Sequence, residues 1–231
     1  FLPHQSKSLS GIALRSCLLG IVFALSLSLS LVLLWTGHPL WRPPFFLATL
    51  STFHFLEFYT TAYANSNAAT TGSFLLSSNG SAYSMAHSAF FFEPLISYFL
   101  APSLLPPPIQ TILLVLGLSL IVIGQSTRAL AMLTAGSNFS HIVRHTKARS
   151  HRLVTSGIYS ILRHPSYFGY FWWAVGTQLM CGNRVFLVAY PLALFRFFDR
   201  RIRGEEELLV KFFGEEYVEY RARTWVGIPG I

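Results

Sequence analysis

Residues 12–35 read IALRSCLLGIVFALSLSLSLVLLW, an apolar run whose single charged residue is Arg15, near its start. About 20 helical residues are enough to cross the hydrocarbon core of a bilayer. The run is too long for the apolar core of a signal peptide, and no obvious cleavage site follows it. It therefore predicts a retained membrane helix, and this decides the fold class.

The composition of the chain also favours lipid as its solvent. Hydrophobic residues make up 52% of the 231 residues and charged residues only 11%, whereas about 25% of a typical soluble domain is charged. Fourteen of the seventeen Lys and Arg residues lie at or beyond Arg128. Because they flank apolar runs, we expect the lipid bilayer as a partner and no nucleic acid.

Apolar runs predict an all-α, polytopic helical membrane protein with about six spans. They cover approximately residues 12–35, 43–64, 83–101, 109–130, 165–180 and 185–198. Glu93-Pro94 should interrupt the third run, because proline removes a backbone donor. Gly182-Asn183 should join the last two runs as a helical hairpin.

Two polar segments, residues 134–164 and 199–231, flank this hairpin. The first contains five basic residues and no acid: Arg144, Lys147, Arg149, Arg152 and Arg163. In the second, apolar residues recur at helical spacing and predict an amphipathic helix that starts near Glu205–Glu207, where the helix dipole favours acids. Both segments should lie on one side of the membrane, and their many Lys and Arg residues make that side cytosolic. We expect residues 1–133 to form N-terminal transmembrane helices, and the two polar segments within 134–231 to form one site.

Known soluble cofactor and metal motifs are absent. The sequence contains no G-x-G-x-x-G after a strand, no phosphate-binding P-loop and no H-E-x-x-H. The two cysteines, Cys17 and Cys181, lie in apolar runs without metal-like spacing, so we expect no metal. A cofactor would have to be held by the helices and the two polar segments.

Two clusters in the polar segments carry the chemistry. Arg163-His164-Pro165-Ser166-Tyr167 places a basic pair beside the start of the fifth helix, which suits either an anion site or an interfacial anchor. The segment 196–206 places arginines directly before acids. It is either a stop-transfer flank or a site that holds a carboxylate and a cation together.

Three polar residues lie within apolar runs, namely His54, Glu57 and Glu93. Ionisable groups in lipid are functional candidates because they are costly there. For these three residues we instead favour a structural explanation, either pairing between helices or an acid that stays protonated.

The region 134–231 resembles isoprenylcysteine carboxyl methyltransferase. The resemblance rests on ordered motifs with matching spacing: Ala135-Gly136-Ser137-Asn138-Phe139 with His141, Leu153-Val154-Thr155-Ser156-Gly157, Arg163-His164-Pro165-Ser166-Tyr167, Arg196-Phe197-Phe198, Arg201, Glu205-Glu206, Phe212-Phe213-Gly214-Glu215-Glu216-Tyr217 and Gly227-Ile228-Pro229. The earlier helices match more loosely, and family members usually have further helices upstream.

This resemblance implies an S-adenosylmethionine-dependent enzyme of the endoplasmic reticulum membrane. Residues 134–231 would be its catalytic region, with a cytosolic cofactor pocket formed by the inter-helix loop and the C-terminal amphipathic helix. It would methylate the C-terminal prenylcysteine carboxylate of CaaX-processed proteins of the small GTPase type. The implied cofactor-binding residues are Arg144, His151, Arg152, Leu153, Val154, Tyr159, His164, Pro165, Ser166, Tyr167 and Glu205. Arg201 is implied as the catalytic residue that contacts the substrate carboxylate. The resemblance is weaker at Arg144, a position where the family also accepts Gln, and Arg152 replaces a commoner Thr, which favours a backbone role for Arg152.

Elementary chemistry is compatible with that reaction. A C-terminal carboxyl group has a pKa of about 3.3–3.7, so the nucleophile is ionised without a general base. The prenyl chain partitions into lipid by about 0.8 kcal/mol per buried CH₂, whereas the cofactor is polar. We therefore expect an active site with two entrances.

Three other functions compete with this one. Some membrane sterol reductases have a similar Arg-His-Pro-x-Tyr region but bind NADPH. Glu205-Glu206 argues against them, because an acid suits a sulfonium cation better than a nucleotide phosphate. A methyltransferase for phospholipids or other small molecules, and a non-catalytic scaffold or transporter, are the other two.

Overall fold

The computed structural model describes residues 2–3, 5–100, 105–147 and 151–231, so Arg149 and the end of the third predicted span at residue 101 lie outside it. The described chain is all-helical, as predicted, with seven α-helices and no β-strand. The helices are α1 (Leu9–Trp35), α2 (Arg42–Ala64), α3 (Ser81–Leu100), α4 (Pro107–Ala135), α5 (Pro165–Cys181), α6 (Phe186–Phe213) and α7 (Glu215–Ala222).

Two of the described helices are long and apolar enough to cross a bilayer by length and composition. They are α1, with a mean hydropathy of 2.6, and the stretch Pro107–Asn138, which contains α4 and has a mean hydropathy of 2.0. Both expose large apolar side chains, such as Leu25 at 68% and Val115 at 62%. Such surface is unfavourable in water and natural in lipid. The other four spans stay predictions.

Local sequence explains where the helices begin and end. The Ser8 hydroxyl accepts a hydrogen bond from the Gly11 amide at 3.0 Å and caps α1. Pro165 is the first residue of α5. A backbone N–H at this position would have no partner within the helix, so proline costs no hydrogen bond there. Gly182 ends α5 with a left-handed φ of +68°. The predicted turn between the fifth and sixth helices is therefore confirmed.

The third helix is not interrupted at Glu93-Pro94, so that prediction was wrong. Helix α3 continues through Pro94, as membrane helices can when other groups satisfy the backbone. The Glu93 carboxylate instead accepts hydrogen bonds from the amides of Arg184 at 2.6 Å, Val185 at 2.7 Å and Phe186 at 3.2 Å. Glu93 thus caps the start of α6, where backbone donors have no helical partner.

The sixth span and the amphipathic helix are one continuous helix, which corrects the prediction of two. Helix α6 runs through the charged cluster, so Glu205–Glu207 lie in its interior and not at a helix start. No proline separates the two predicted segments, and Arg203 pairs with Asp199 one turn away at 2.7 Å. The helix ends at Gly214, with φ of +59°, and α7 follows. The predicted division after residue 133 falls inside the last turn of α4.

Helices α4 and α5 pack with their backbones in close contact. A Cβ atom built on Gly124 would lie 2.5 Å from the Gly169 carbonyl oxygen, and one built on Gly169 would lie 2.6 Å from that of Gly124. Small residues allow this kind of approach between membrane helices. The contact fixes the start of α5, which carries several predicted site residues.

Gly124→Ala should therefore destabilise the protein although only one methyl group is added. Forcing side-chain volume into a packed interior costs about 1–3 kcal/mol, and the clashing atoms here are backbone. Thermal unfolding in detergent measures the effect. Gly20→Ala is the matched control, because a Cβ at Gly20 in α1 meets nothing within 4 Å. Equal melting temperatures for the two variants would contradict the close contact.

Candidate active site

A polar cavity lies where the 138–140 and 152–159 segments, the start of α5, and helices α6 and α7 meet. Nine of the eleven predicted cofactor residues line it: Arg152, Leu153, Val154, Tyr159, His164, Pro165, Ser166, Tyr167 and Glu205. The other two, Arg144 and His151, line an adjoining cavity that also contains Arg152 and Glu205. Their side chains contact each other. The structure thus brings all eleven residues into two neighbouring spaces.

Glu206 connects three basic residues beside the polar cavity. It accepts a hydrogen bond from Arg163 at 2.6 Å and lies 3.2 Å from His164 Nε2, while Arg221 approaches within 3.5 Å. Burial acts to raise the pKa of Glu206, but the hydrogen bonds from His164 and Arg163 outweigh it and lower that pKa to about 2. Arg163 also donates to the Thr224 carbonyl at 2.8 Å. The Arg163 guanidinium is therefore held by hydrogen bonds to other residues of the protein.

Tyr167 links the predicted cofactor acid to the predicted substrate arginine. Its hydroxyl donates to Glu205 Oε2 at 2.6 Å and accepts from Arg201 Nε at 2.8 Å. Arg201 Nη2 also donates to the His141 carbonyl at 2.7 Å. Its Nη1 has no hydrogen-bond partner among the described residues. One guanidinium nitrogen therefore stays available for a ligand while the other two fix its plane.

A second, apolar cavity of about 400 Å³ meets the polar one at Tyr167. Its walls come mainly from α2, α3, α5 and α6. They include Phe53, Ala86, Tyr170, Leu194, Phe197 and Phe198, and the lining arginines are Arg128 and Arg201. Phe139, Ser140, Ser166 and Tyr167 line both cavities. A polar and an apolar ligand could thus touch at Tyr167.

The acid Glu57 on α2 supports this junction through buried contacts. The guanidinium of Arg128 on α4 binds both of its carboxylate oxygens, and His141 Nε2 donates to Oε2 at 2.9 Å. Arg128 Nη1 also donates to the Ser166 carbonyl at 3.0 Å. Pairing between helices is therefore confirmed for Glu57. His54 is similarly engaged, with the Phe74 carbonyl at 2.8 Å and the Tyr83 hydroxyl at 3.3 Å.

Sequence reasoning missed Tyr217, which lines the polar cavity. Its side chain is 1% exposed, and its hydroxyl has no partner among the described residues. Burial raises the pKa of Tyr217, so the hydroxyl remains a donor at neutral pH. The helical spacing was a usable signal, because Leu209, Phe213, Tyr217 and Tyr220 form one stripe along the cavity wall.

The fold and site define a class of protein: a helical membrane protein in which a polar and an apolar cavity meet at Tyr167. Residues 115–211 match the isoprenylcysteine carboxyl methyltransferase family. A protein-S-isoprenylcysteine O-methyltransferase from Saccharomyces cerevisiae is 48% identical over 80% of this chain and 79% of its own length. The one from Homo sapiens is 40% identical over 95% of this chain and 75% of its own.

A solved structure agrees with these relatives. The eukaryotic intramembrane Ras methyltransferase, isoprenylcysteine carboxyl methyltransferase, superimposes with a TM-score of 0.82 at 35% identity, over 96% of this chain and 77% of that one. This chain belongs to the isoprenylcysteine carboxyl methyltransferase family, and it is a membrane protein and an enzyme.

Proposed function

We propose that this protein methylates the C-terminal carboxylate of a prenylated cysteine, with S-adenosylmethionine as methyl donor. The observation that carries the proposal is the Glu205–Tyr167–Arg201 chain at the junction of the polar and apolar cavities. An acid on one side suits a sulfonium cation, and an arginine on the other suits a carboxylate. The relatives do not favour the NADPH-dependent reductase.

The residues of the polar cavity fit S-adenosylmethionine. Glu205 supplies a carboxylate, while Tyr217 supplies a buried hydroxyl donor that lacks a partner among the described residues. The predicted cofactor residues would hold the adenosyl and amino-acid parts, with Arg144 and His151 in the adjoining cavity. When bound, the cofactor supplies a methyl group activated by the positive sulfur.

Arg201 and its neighbours orient the carboxylate. Tyr167 and the His141 carbonyl fix the guanidinium, so Nη1 can hold one substrate oxygen and leave the other to attack. Such positioning can supply several kcal/mol of catalysis. The apolar cavity takes the prenyl chain, whose burial favours binding by about 0.8 kcal/mol per CH₂.

The polarity of the two ligands and the distribution of charge along the chain support a location for the enzyme. We propose six spans in the endoplasmic reticulum membrane, with residues 134–231 as the catalytic region facing the cytosol. The concentration of Lys and Arg residues in the two polar segments supports this orientation. The methyl donor would enter from the cytosol, and the prenylated tail of a small GTPase or another CaaX protein would enter from the bilayer.

Cofactor affinity tests the proposal. Glu205→Gln should weaken binding of S-adenosylmethionine at least tenfold, because hydrogen bonds and contacts to a charged group contribute about 1.5–3 kcal/mol. Calorimetry on purified protein measures the affinity. Glu207→Gln is the matched control, since Glu207 is an exposed acid on the same helix that does not line the cavity. A wild-type protein that binds NADPH and no S-adenosylmethionine would refute the proposal.

A further inference from the structure

A third cavity, about 740 Å³ in volume, opens beside Arg201 and is occupied by neither the cofactor nor the prenyl chain in the proposed reaction. It lies between the end of α2, the 65–79 segment and the 139–145 segment. Asn79, His141, Phe197 and Arg201 line both this cavity and the apolar one. The third cavity is therefore continuous with the place where the substrate carboxylate would sit.

The chemistry of a prenylated C-terminus requires such a space. Besides hydrogen, the α-carbon of the terminal cysteine carries three groups. They are the carboxylate, the side chain whose thioether bears the prenyl chain, and the amide nitrogen that leads to the rest of the protein. The carboxylate would lie at Arg201 and the prenyl chain in the apolar cavity. The cofactor would occupy the polar cavity, so the polypeptide has to leave by another route.

The walls of the third cavity suit a neutral polypeptide backbone. They include the polar side chains of Thr61, Asn65 and Ser73. The Asn65 side-chain amide, which can both donate and accept, has no hydrogen-bond partner among the described residues. The charged lining residues within the described chain are Arg144 and Arg201, and no carboxylate is among them. Such walls disfavour a sulfonium cation.

We propose that the third cavity binds the few residues that precede the prenylated cysteine, as extended chain. Asn65 hydrogen-bonds their backbone amides, so recognition at this point depends little on side-chain identity. The enzyme thus recognises three parts of its substrate around Arg201: the carboxylate at Arg201 itself, the prenyl chain in the apolar cavity and the preceding residues in the third cavity. This proposal rests on the proposed function and adds a site for the protein part of the substrate.

Filling the cavity from its rim tests the proposal. Ala68 lines the third cavity on an exposed turn, Ser66–Ala68. Ala68→Trp should raise KM at least tenfold for an S-farnesylated peptide that ends in the modified cysteine. KM for N-acetyl-S-farnesylcysteine, which lacks the preceding residues, should not change. Asn65→Ala should shift the peptide KM in the same direction by a smaller factor.

Asn67→Trp is the matched control, because Asn67 is exposed on the same turn but does not line the cavity. It should leave both KM values as in wild type. Ala68→Trp with an unchanged peptide KM, or with equal increases for both substrates, would overturn the peptide site. Failure of wild-type protein to methylate N-acetyl-S-farnesylcysteine would instead count against the proposed function, so the two failures are distinguishable.

Discussion

Arg201→Lys is expected to lower kcat by about 100-fold or more, the range seen when one oriented donor is removed from an active site. Arg201 uses Nε for Tyr167 and Nη2 for the His141 carbonyl, which leaves Nη1 for the substrate. A lysine ammonium is a flexible point charge and cannot hold a fixed plane while it binds an oxygen. Methylation of N-acetyl-S-farnesylcysteine at saturating S-adenosylmethionine measures the loss.

The accompanying affinity measurement separates orientation from cofactor binding. Arg201 does not line the polar cavity, so the variant should bind S-adenosylmethionine nearly as well as wild type. Arg200→Lys, at an exposed neighbour on α6, is the matched control and should keep full turnover. Wild-type turnover by Arg201→Lys would mean that the carboxylate is held elsewhere, with Arg196 as the next candidate.

Glu57→Gln should destabilise the fold by about 3–5 kcal/mol, the usual effect of breaking a buried ion pair from one side. Glu57 is 1% exposed and Arg128 is 8% exposed, so the substitution leaves a buried guanidinium without its carboxylate. His141 loses the same partner, and its carbonyl positions Arg201. Thermal or denaturant unfolding in detergent should therefore show a large decrease in stability.

The double variant Glu57→Gln, Arg128→Met provides the control. It removes the unpaired charge and should recover part of the lost stability, because the burial penalty of a lone cation disappears. A double variant no more stable than Glu57→Gln would show that the ion pair itself is not what Glu57 contributes. Turnover should stay low in the double variant, since the support under Ser166 and His141 is absent.

Much of the helical framework could be predicted from sequence because it depends on local signals. Pro165 and Gly182 mark the ends of α5 through the conformations that proline and glycine favour. The family resemblance supplied the cofactor residues, and the structure gathers them in two adjoining cavities. What these residues bind stays a prediction.

The missed features depend on contacts between distant parts of the chain. Glu93 could be recognised as unusual in an apolar run, but its partners are amides at residues 184–186. For Glu57 the pairing between helices was predicted, but its partner Arg128 on another helix was not. A single sequence could have suggested that pair, because Arg128 is a lone cation in an apolar helix, but it could not supply the geometry.

The continuity of α6 has an evolutionary consequence. Arg201 and Glu205 lie four residues apart on one helix, which places them about 6 Å apart along its axis and on one face. Loss or gain of a single residue between them would rotate one side chain by about 100° away from the other. Between these two residues, we expect the number of positions to be preserved even where the identities change.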